Sequence, residues 1–376
     1  MKTQQIAIIL SIFAIILTSC SNQSRLLANI DSYIQTYPDS AYTELKKYKE
    51  SDFTSRKNRA KYCTLYATAL DKNYNDTSKF LDTLISYKNY YAHHGSKRDR
   101  MLYNFYLGDQ MSDSGMPESA ITYFSEALKY AITIQDWFYC GIISQWISIL
   151  YAKQYNYNQQ LEYAEKACYY LKKTDKLGHL GDSRIKLAIA YMCKGRTKES
   201  LDLIRRTYQD AKELKDTLLI YSALNQMATC YLHLVPPQPD STIYAVRQTY
   251  SLKIKRNIDL CCSAAEAFSL LGNNVKAHAY IDSAYAAINT KHDRMIALEA
   301  DYTILDREHN VSKAYPVLKH IHEISDSITT KALLQSVTVA HDKYLQEKKE
   351  LADYKDEQSH LFSSACPRSH TYSLVH

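Results

Sequence analysis

The chain has 376 residues, of which 46% are hydrophobic and 23% charged, and it contains only 8 Gly and 7 Pro. This is the composition of a folded protein, and so few turn-forming residues exclude an all-β sandwich or a fold built on glycine-rich phosphate loops. The 46 Lys and Arg against 40 Asp and Glu leave a net charge of +6. The charges alternate in short mixed runs, without the clustered cations of a nucleic-acid-binding face. We therefore expect a mostly helical protein that binds no nucleic acid.

The first 20 residues have the pattern of an export signal. A short basic start precedes an apolar run over residues 6–17, which is too short to span a bilayer comfortably. Leu17-Thr18-Ser19-Cys20 follows and resembles the lipobox of bacterial lipoproteins. The resemblance implies a lipoprotein signal peptide over 1–19, a lipid on Cys20 that anchors the chain to a membrane, and a periplasm-facing location in the cell envelope. It leaves the inner and the outer membrane open. An uncleaved anchor with an incidental cysteine is the alternative.

Residues 20–96 predict N-terminal helical hairpins, which we interpret as degenerate repeats. Residues 26–49 form one candidate hairpin, interrupted at Tyr37-Pro38, and residues 59–91 contain another. A proline inside a helical pattern ends the helix before it, because proline has no N–H and its ring clashes with the preceding turn.

Residues 97–328 predict a repeat array. A marker position beside a large apolar residue recurs at spacings of 40, 40, 40, 37 and 37 residues, and it is followed by an aromatic residue, a turn and a returning helix. Helix pairs that cannot bury their apolar faces alone stack on their neighbours. The pattern resembles tetratricopeptide repeats with longer helices, which implies an all-α solenoid of antiparallel helix pairs. The six marker residues are Gly108, Ser148, Ala188, Ala228, Ala265 and Tyr302.

The C-terminal part predicts a long charged helix over 329–362 and an unstructured tail over 363–376. Pro38-Asp39-Ser40-Ala41 and Asp71-Lys72-Asn73-Tyr74 resemble segments of repeat-rich envelope proteins of Bacteroidota. In many of these, the repeats precede a transmembrane helix and a cytoplasmic helix-turn-helix. No apolar run of about 20 residues follows residue 20 here. The alternative to a short lipoprotein is therefore the sensory periplasmic part of a membrane-bound transcriptional regulator, truncated before its transmembrane and DNA-binding parts.

No motif in the sequence predicts catalysis, a cofactor or a metal site. The patterns GxSxG, GxxxxGK, GxGxxG and HExxH are all missing. The nine cysteines include no CxxC pair, which favours buried thiols, with a disulfide between Cys261 and Cys262 as the alternative. His320 and His322 are two residues apart and would point to different faces of a helix. We predict a non-enzymatic protein.

The predicted function falls on the first helix of each pair. In tetratricopeptide arrays, repeat positions two, five, nine and twelve of that helix share one face and line a concave groove. We name these positions in four repeats the groove stripe: Leu102, Phe105, Asp109, Ser112, Ile142, Gln145, Ile149, Ala152, Asp182, Ile185, Ile189, Met192, Ser222, Asn225, Thr229 and Leu232.

The groove stripe has an apolar middle and polar ends, a composition that suits an extended peptide or a helix of a protein partner. The predicted contact residues are Leu102, Phe105, Asp109, Gln145, Ile149, Ile185, Ile189, Met192, Asn225 and Thr229. The alternative is that these side chains pack against the next repeat or against the C-terminal helix.

Overall fold

The computed structural model describes residues 22–73, 75, 80–254 and 257–327. The described residues up to Ser325 belong to one compact unit. The signal peptide, Cys20, the charged helix over 329–362 and the tail lie outside the described residues and stay predictions.

Within these ranges the chain is helical and contains no strand, as the composition predicted. The helices are α1 (22–33), α2 (Pro38–Leu45), α3 (Arg56–Lys72), α4 (Leu81–Ser86), α5 (Lys88–His93), α6 (Lys97–Asp113), α7 (Pro117–Thr133), α8 (Trp137–Lys153), α9 (Tyr157–Leu171), α10 (Leu177–Cys193), α11 (Thr197–Leu214), α12 (Thr217–Leu232), α13 (Pro239–Tyr250), α14 (Ile258–Leu270), α15 (Asn274–Tyr285), α16 (Lys291–Arg307) and α17 (311–327). None of them is long and apolar enough to cross a membrane.

From α6 onward the described helices form six pairs. We call the first helix of each pair the A helix (α6, α8, α10, α12, α14, α16) and the second the B helix (α7, α9, α11, α13, α15, α17). All six marker residues lie on A helices, so the predicted repeat register is confirmed. The helices α6, α8 and α10 have 17 residues each and α11 has 18. These lengths account for a period above 34 residues.

The turns between helices follow from local chemistry. Gly115 and Gly195 follow A helices in the left-handed conformation, with φ of 71° and 72°, which costs glycine little because it has no Cβ. Asp136 directly precedes α8 and Asn156 directly precedes α9. The side chain of each accepts a hydrogen bond from a backbone N–H group in the first turn of its helix. Short loops of this kind return the chain antiparallel to itself.

The small marker residues are explained by contact between the A and B helices. A Cβ at Gly108 would lie only 3.0 Å from Cδ1 of Phe124, a fully buried ring on α7. At the next pair, the Ser148 hydroxyl donates to the carbonyl of Gln160 at 2.8 Å, and the Ser200 hydroxyl donates to the carbonyl of Ala188 at 2.8 Å. Close approach and buried hydrogen bonds therefore hold the pairs in register.

The N-terminal helices continue the core of the array. Leu27 and Ile30 of α1 and Ile34, which follows it, are fully buried in a cluster that reaches Leu150 on α8. The second predicted hairpin is more broken than expected, because a turn at Tyr87 separates α4 from α5.

Candidate functional site

The A helices form a continuous wall on which the groove stripe lies. Within the described unit, α10 contacts α8 and α12, α12 contacts α14, and α14 contacts α16. Side chains at the same repeat position therefore come close to one another across successive helices.

Four of the predicted contact residues are buried, namely the acid Asp109 and three apolar side chains that lie between helices. Leu102, Phe105 and Ile185 are 1%, 6% and 4% exposed, and the ring of Phe105 packs 5.6 Å from the rings of both Phe124 and Tyr139. Their assignment as partner contacts is corrected: the alternative, packing within the array, holds for them because neighbouring helices already cover these side chains.

The middle of the stripe remains half-exposed. Gln145, Ile149, Ile189, Met192, Asn225 and Thr229 are all partly accessible. Gln145 Nε2 donates to Asp182 Oδ2 at 2.6 Å, and its Oε1 accepts from the Ser183 hydroxyl. These bonds tie α8 to α10, while the aliphatic side chains beside them offer apolar surface.

Asn225 carries an unmet hydrogen-bonding group. Its Oδ1 is buried and has no hydrogen-bond partner among the described residues. Leaving a buried acceptor unpaired costs about 1–3 kcal/mol.

The stripe continues into two repeats that the predicted site left out. The same four positions on α14 and α16 add Asp259, Cys262, Glu266, Ser269, Ile296, Glu299, Thr303 and Asp306, and we call the combined set the extended stripe. The extended stripe contains six acidic residues and neither Lys nor Arg. The acids are Asp109, Asp182, Asp259, Glu266, Glu299 and Asp306. Carrying the repeat count two units further would have found the last four from the sequence.

Asp109 is the most buried of these acids. Its side chain is 9% exposed, and in the described part of the chain its carboxylate has neither a hydrogen-bond nor an ion-pair partner. Burial, followed by the charges of Asp71 and Asp113, raises the pKa of Asp109 to about 7. Among the described residues, this carboxyl group therefore lies beside two other acids and has no ion-pair partner.

Two of the acids on α14 and α16 are exposed to solvent and yet partly desolvated. Asp259 and Glu299 are accessible to solvent by area, yet desolvation raises the pKa of each. A side chain in an open groove can have both properties, because solvent reaches it while protein surrounds it on several sides. Lys186 on α10 acts electrostatically on Asp259, and Glu299 acts on Tyr157 of α9, so helices several repeats apart face the same space.

A second concavity lies away from the stripe. A pocket of about 990 Å³ opens between α1, α3, α5 and α6. Four of its charged groups pair with one another: Lys61 pairs with Asp31 at 2.8 Å and also with Asp99, and Arg98 pairs with Asp31 at 3.0 Å. The described residues also contain no group of three or more His, Cys, Asp or Glu side chains arranged to hold a metal ion.

No family model and no curated protein matches the sequence. Solved structures do match. NprR in complex with its cognate peptide NprX superposes with a TM-score of 0.58 at 14% identity, covering 81% of this chain and 88% of that chain. A Rap protein complexed with competence and sporulation factor gives 0.56 at 10% identity, covering 90% and 98%.

The apo form of the quorum sensor NprR from B. thuringiensis gives a TM-score of 0.57 at 14% identity, covering 88% of this chain and 99% of that chain. The fold is tetratricopeptide-like. At these identities the likeness concerns the fold, and the all-α repeat architecture predicted from the sequence is confirmed.

Proposed function

We propose that this chain is a non-enzymatic protein-interaction module that binds a peptide or an extended protein segment along the groove stripe. We further propose that a lipid on Cys20 anchors it in the envelope of a bacterium of the Bacteroidota, facing the periplasm. The observation that carries the first proposal is the partly accessible apolar row of Ile149, Ile189 and Met192 on the adjacent A helices α8 and α10. Apolar surface that the neighbouring helices leave accessible is available to an apolar partner segment.

The structural neighbours also support binding of a peptide. Two structures of the same fold were solved with peptide or factor bound: NprR with NprX, and Rap with competence and sporulation factor. No particular partner follows from that likeness.

The peptide proposal is tested by charging the apolar row. We expect Ile149→Asp with Ile189→Asp to reduce capture of a partner by at least tenfold, because each carboxylate would have to be desolvated against apolar ligand surface. The bait carries a photo-crosslinker at Thr229 and is recovered from native membranes. A second bait with the crosslinker at Tyr244, an exposed side chain of α13, should not yield the same product.

The matched control places the same charges outside the stripe. Ile132 on α7 and Leu218 on α12 are 43% and 69% exposed, and Ile132→Asp with Leu218→Asp should leave capture within twofold of the unchanged protein. Circular dichroism checks that both pairs keep their helicity. Equal capture by the two double variants would refute binding at the stripe.

The lipid proposal predicts a second outcome. In a bacterial host fed an alkyne-bearing fatty acid, the chain should be labelled and sediment with membranes, because acyl chains add about 0.8 kcal/mol of membrane affinity per buried CH₂. Cys20→Ala should lose at least nine-tenths of the label. Cys193→Ala, which removes an exposed free thiol, should keep it, and labelling of both variants alike would contradict the assignment to Cys20.

The sensory alternative uses the same groove. A periplasmic ectodomain of a regulator would also bind its signal on the stripe, and NprR, which shares the fold, is itself described as a quorum sensor. The two proposals separate when close relatives are sequenced: a transmembrane helix encoded in frame after residue 362 would favour the sensor.

A further inference from the structure

We propose that the partner segment is cationic, and that Lys or Arg side chains of that segment lie against the acids of the extended stripe. This rests on the proposed function, because it assigns the chemistry of the partner for the same groove. The stripe and the whole protein differ in the sign of their charge. The chain carries a net charge of +6, whereas the extended stripe bears six acids and no base.

Four of the six acids lack a bonded partner among the described residues. The carboxylates of Asp109, Glu266, Glu299 and Asp306 make no hydrogen bond and no ion pair there. The other two are bonded: Asp182 accepts from Gln145 and lies 3.8 Å from Lys186, and Asp259 accepts from the Asn257 amide at 3.3 Å.

Asp109 provides the independent observation. A carboxyl group 9% exposed normally has a donor or a cation beside it, since desolvating an unpaired charge is costly. Asp109 instead lies within electrostatic reach of two more carboxyl groups, Asp71 and Asp113. A neighbouring cation, Lys72, acts on Asp71, but no ion pair joins Lys72 to Asp109.

The far end of the stripe repeats this arrangement. Glu266 occupies the repeat position of Asp109, and the Glu299 charge acts on it. Arg307 and His233 also act on Glu266, yet the Arg307 guanidinium donates to the Ser269 hydroxyl at 2.9 Å rather than to a carboxylate. Acids therefore stand at both ends of the apolar row, and a segment with cations flanking apolar residues matches that order.

The alternatives fit less well. At the stripe positions an anionic ligand would meet six acids and neither Lys nor Arg. A metal ion needs convergent ligands, and the described residues include no such group. Ammonium and guanidinium groups tolerate separated carboxylates, since each forms charge-assisted hydrogen bonds on its own.

The test uses two capped octapeptides, KKALLAKK and EEALLAEE, and measures their binding to the full chain by calorimetry at low salt. We expect the basic peptide to bind at least tenfold more tightly than the acidic one and to weaken as salt is added. Attraction by the net charge of the protein cannot make the basic peptide bind more tightly, because a protein of net charge +6 would favour the acidic peptide.

The stripe variant combines Asp109→Asn, Glu266→Gln and Glu299→Gln. It should bind the basic peptide five- to tenfold more weakly. The matched control combines Asp175→Asn, Asp202→Asn and Glu213→Gln, three exposed acids outside the stripe, and should stay within twofold of the unchanged protein.

The outcomes separate this inference from the proposed function. Equal losses in the two triple variants, or preference for the acidic peptide, overturn the cationic partner. Dimerisation of the chain that the stripe variant abolishes would assign the face to a second copy and overturn it too. If the photo-crosslinked native partner still depends on Ile149 and Ile189 but not on the three acids, the groove binds a partner and only its cationic character fails.

Discussion

Replacing Phe124 by Ala is expected to lower the free energy of unfolding by about 3–5 kcal/mol, the usual cost of removing a buried aromatic ring. Phe124 is fully buried, its ring lies 5.6 Å from Phe105 and stacks at 6.4 Å on Trp146, and it covers Gly108. The cavity would therefore open where three consecutive helices, α6, α7 and α8, meet. Urea titration followed by circular dichroism measures the loss.

The control for that prediction is an aromatic residue at the surface. Tyr244 on α13 is 66% exposed, so Tyr244→Ala should change the free energy of unfolding by less than about 1 kcal/mol. A loss of similar size in both variants would mean that the ring of Phe124 is not the centre of packing that we describe.

Replacing Asp109 by Asn is expected to benefit the folded protein more at pH 8 than at pH 5. The difference in free energy of unfolding between the variant and the unchanged protein should shift in favour of the variant by about 2–3 kcal/mol over this range. Burial and the charges of Asp71 and Asp113 raise the pKa of Asp109 to about 7, above the value of about 3.9 in an unfolded chain. Between these two pKa values the folded protein holds a proton that the unfolded chain releases. Stability is therefore present at low pH and lost as the pH rises toward 7.

Asparagine keeps the shape of the side chain and cannot ionise, so the variant should lose that part of the pH dependence. Urea midpoints at pH 5, 6, 7 and 8 test it. Asp175→Asn, at an exposed position, should give the pH profile of the unchanged protein. An identical slope in Asp109→Asn and the unchanged protein would show that Asp109 ionises normally in the folded state.

The repeat register was readable in the sequence because it depends on neighbours along the chain. Gly108 and Ala188 are small because each lies where an A helix touches the B helix of its own pair. That B helix follows the A helix at a nearly constant distance along the chain. Gly115 and Gly195 marked the turns for the same local reason, a left-handed residue at a helix end.

Exposure within the stripe was not readable in the same way. Phe105 and Ile149 both belong to the predicted groove, but Tyr139 and Phe124 cover Phe105 while Ile149 stays half-exposed. The helical period fixes which side of the A helix a residue occupies. Whether a neighbouring helix covers that side depends on the size of side chains from other repeats.

By itself, the sequence determined the all-α repeat architecture, the register of six helix pairs and the candidate face, because helical periodicity and side-chain size act over short stretches of chain. Only the tertiary structure decided which stripe residues remain accessible and which carboxylates lack a counter-charge. Asp71 of α3 comes beside Asp109 of α6, and Lys186 of α10 acts on Asp259 of α14. Such encounters join distant segments, and stacking of the helices creates them.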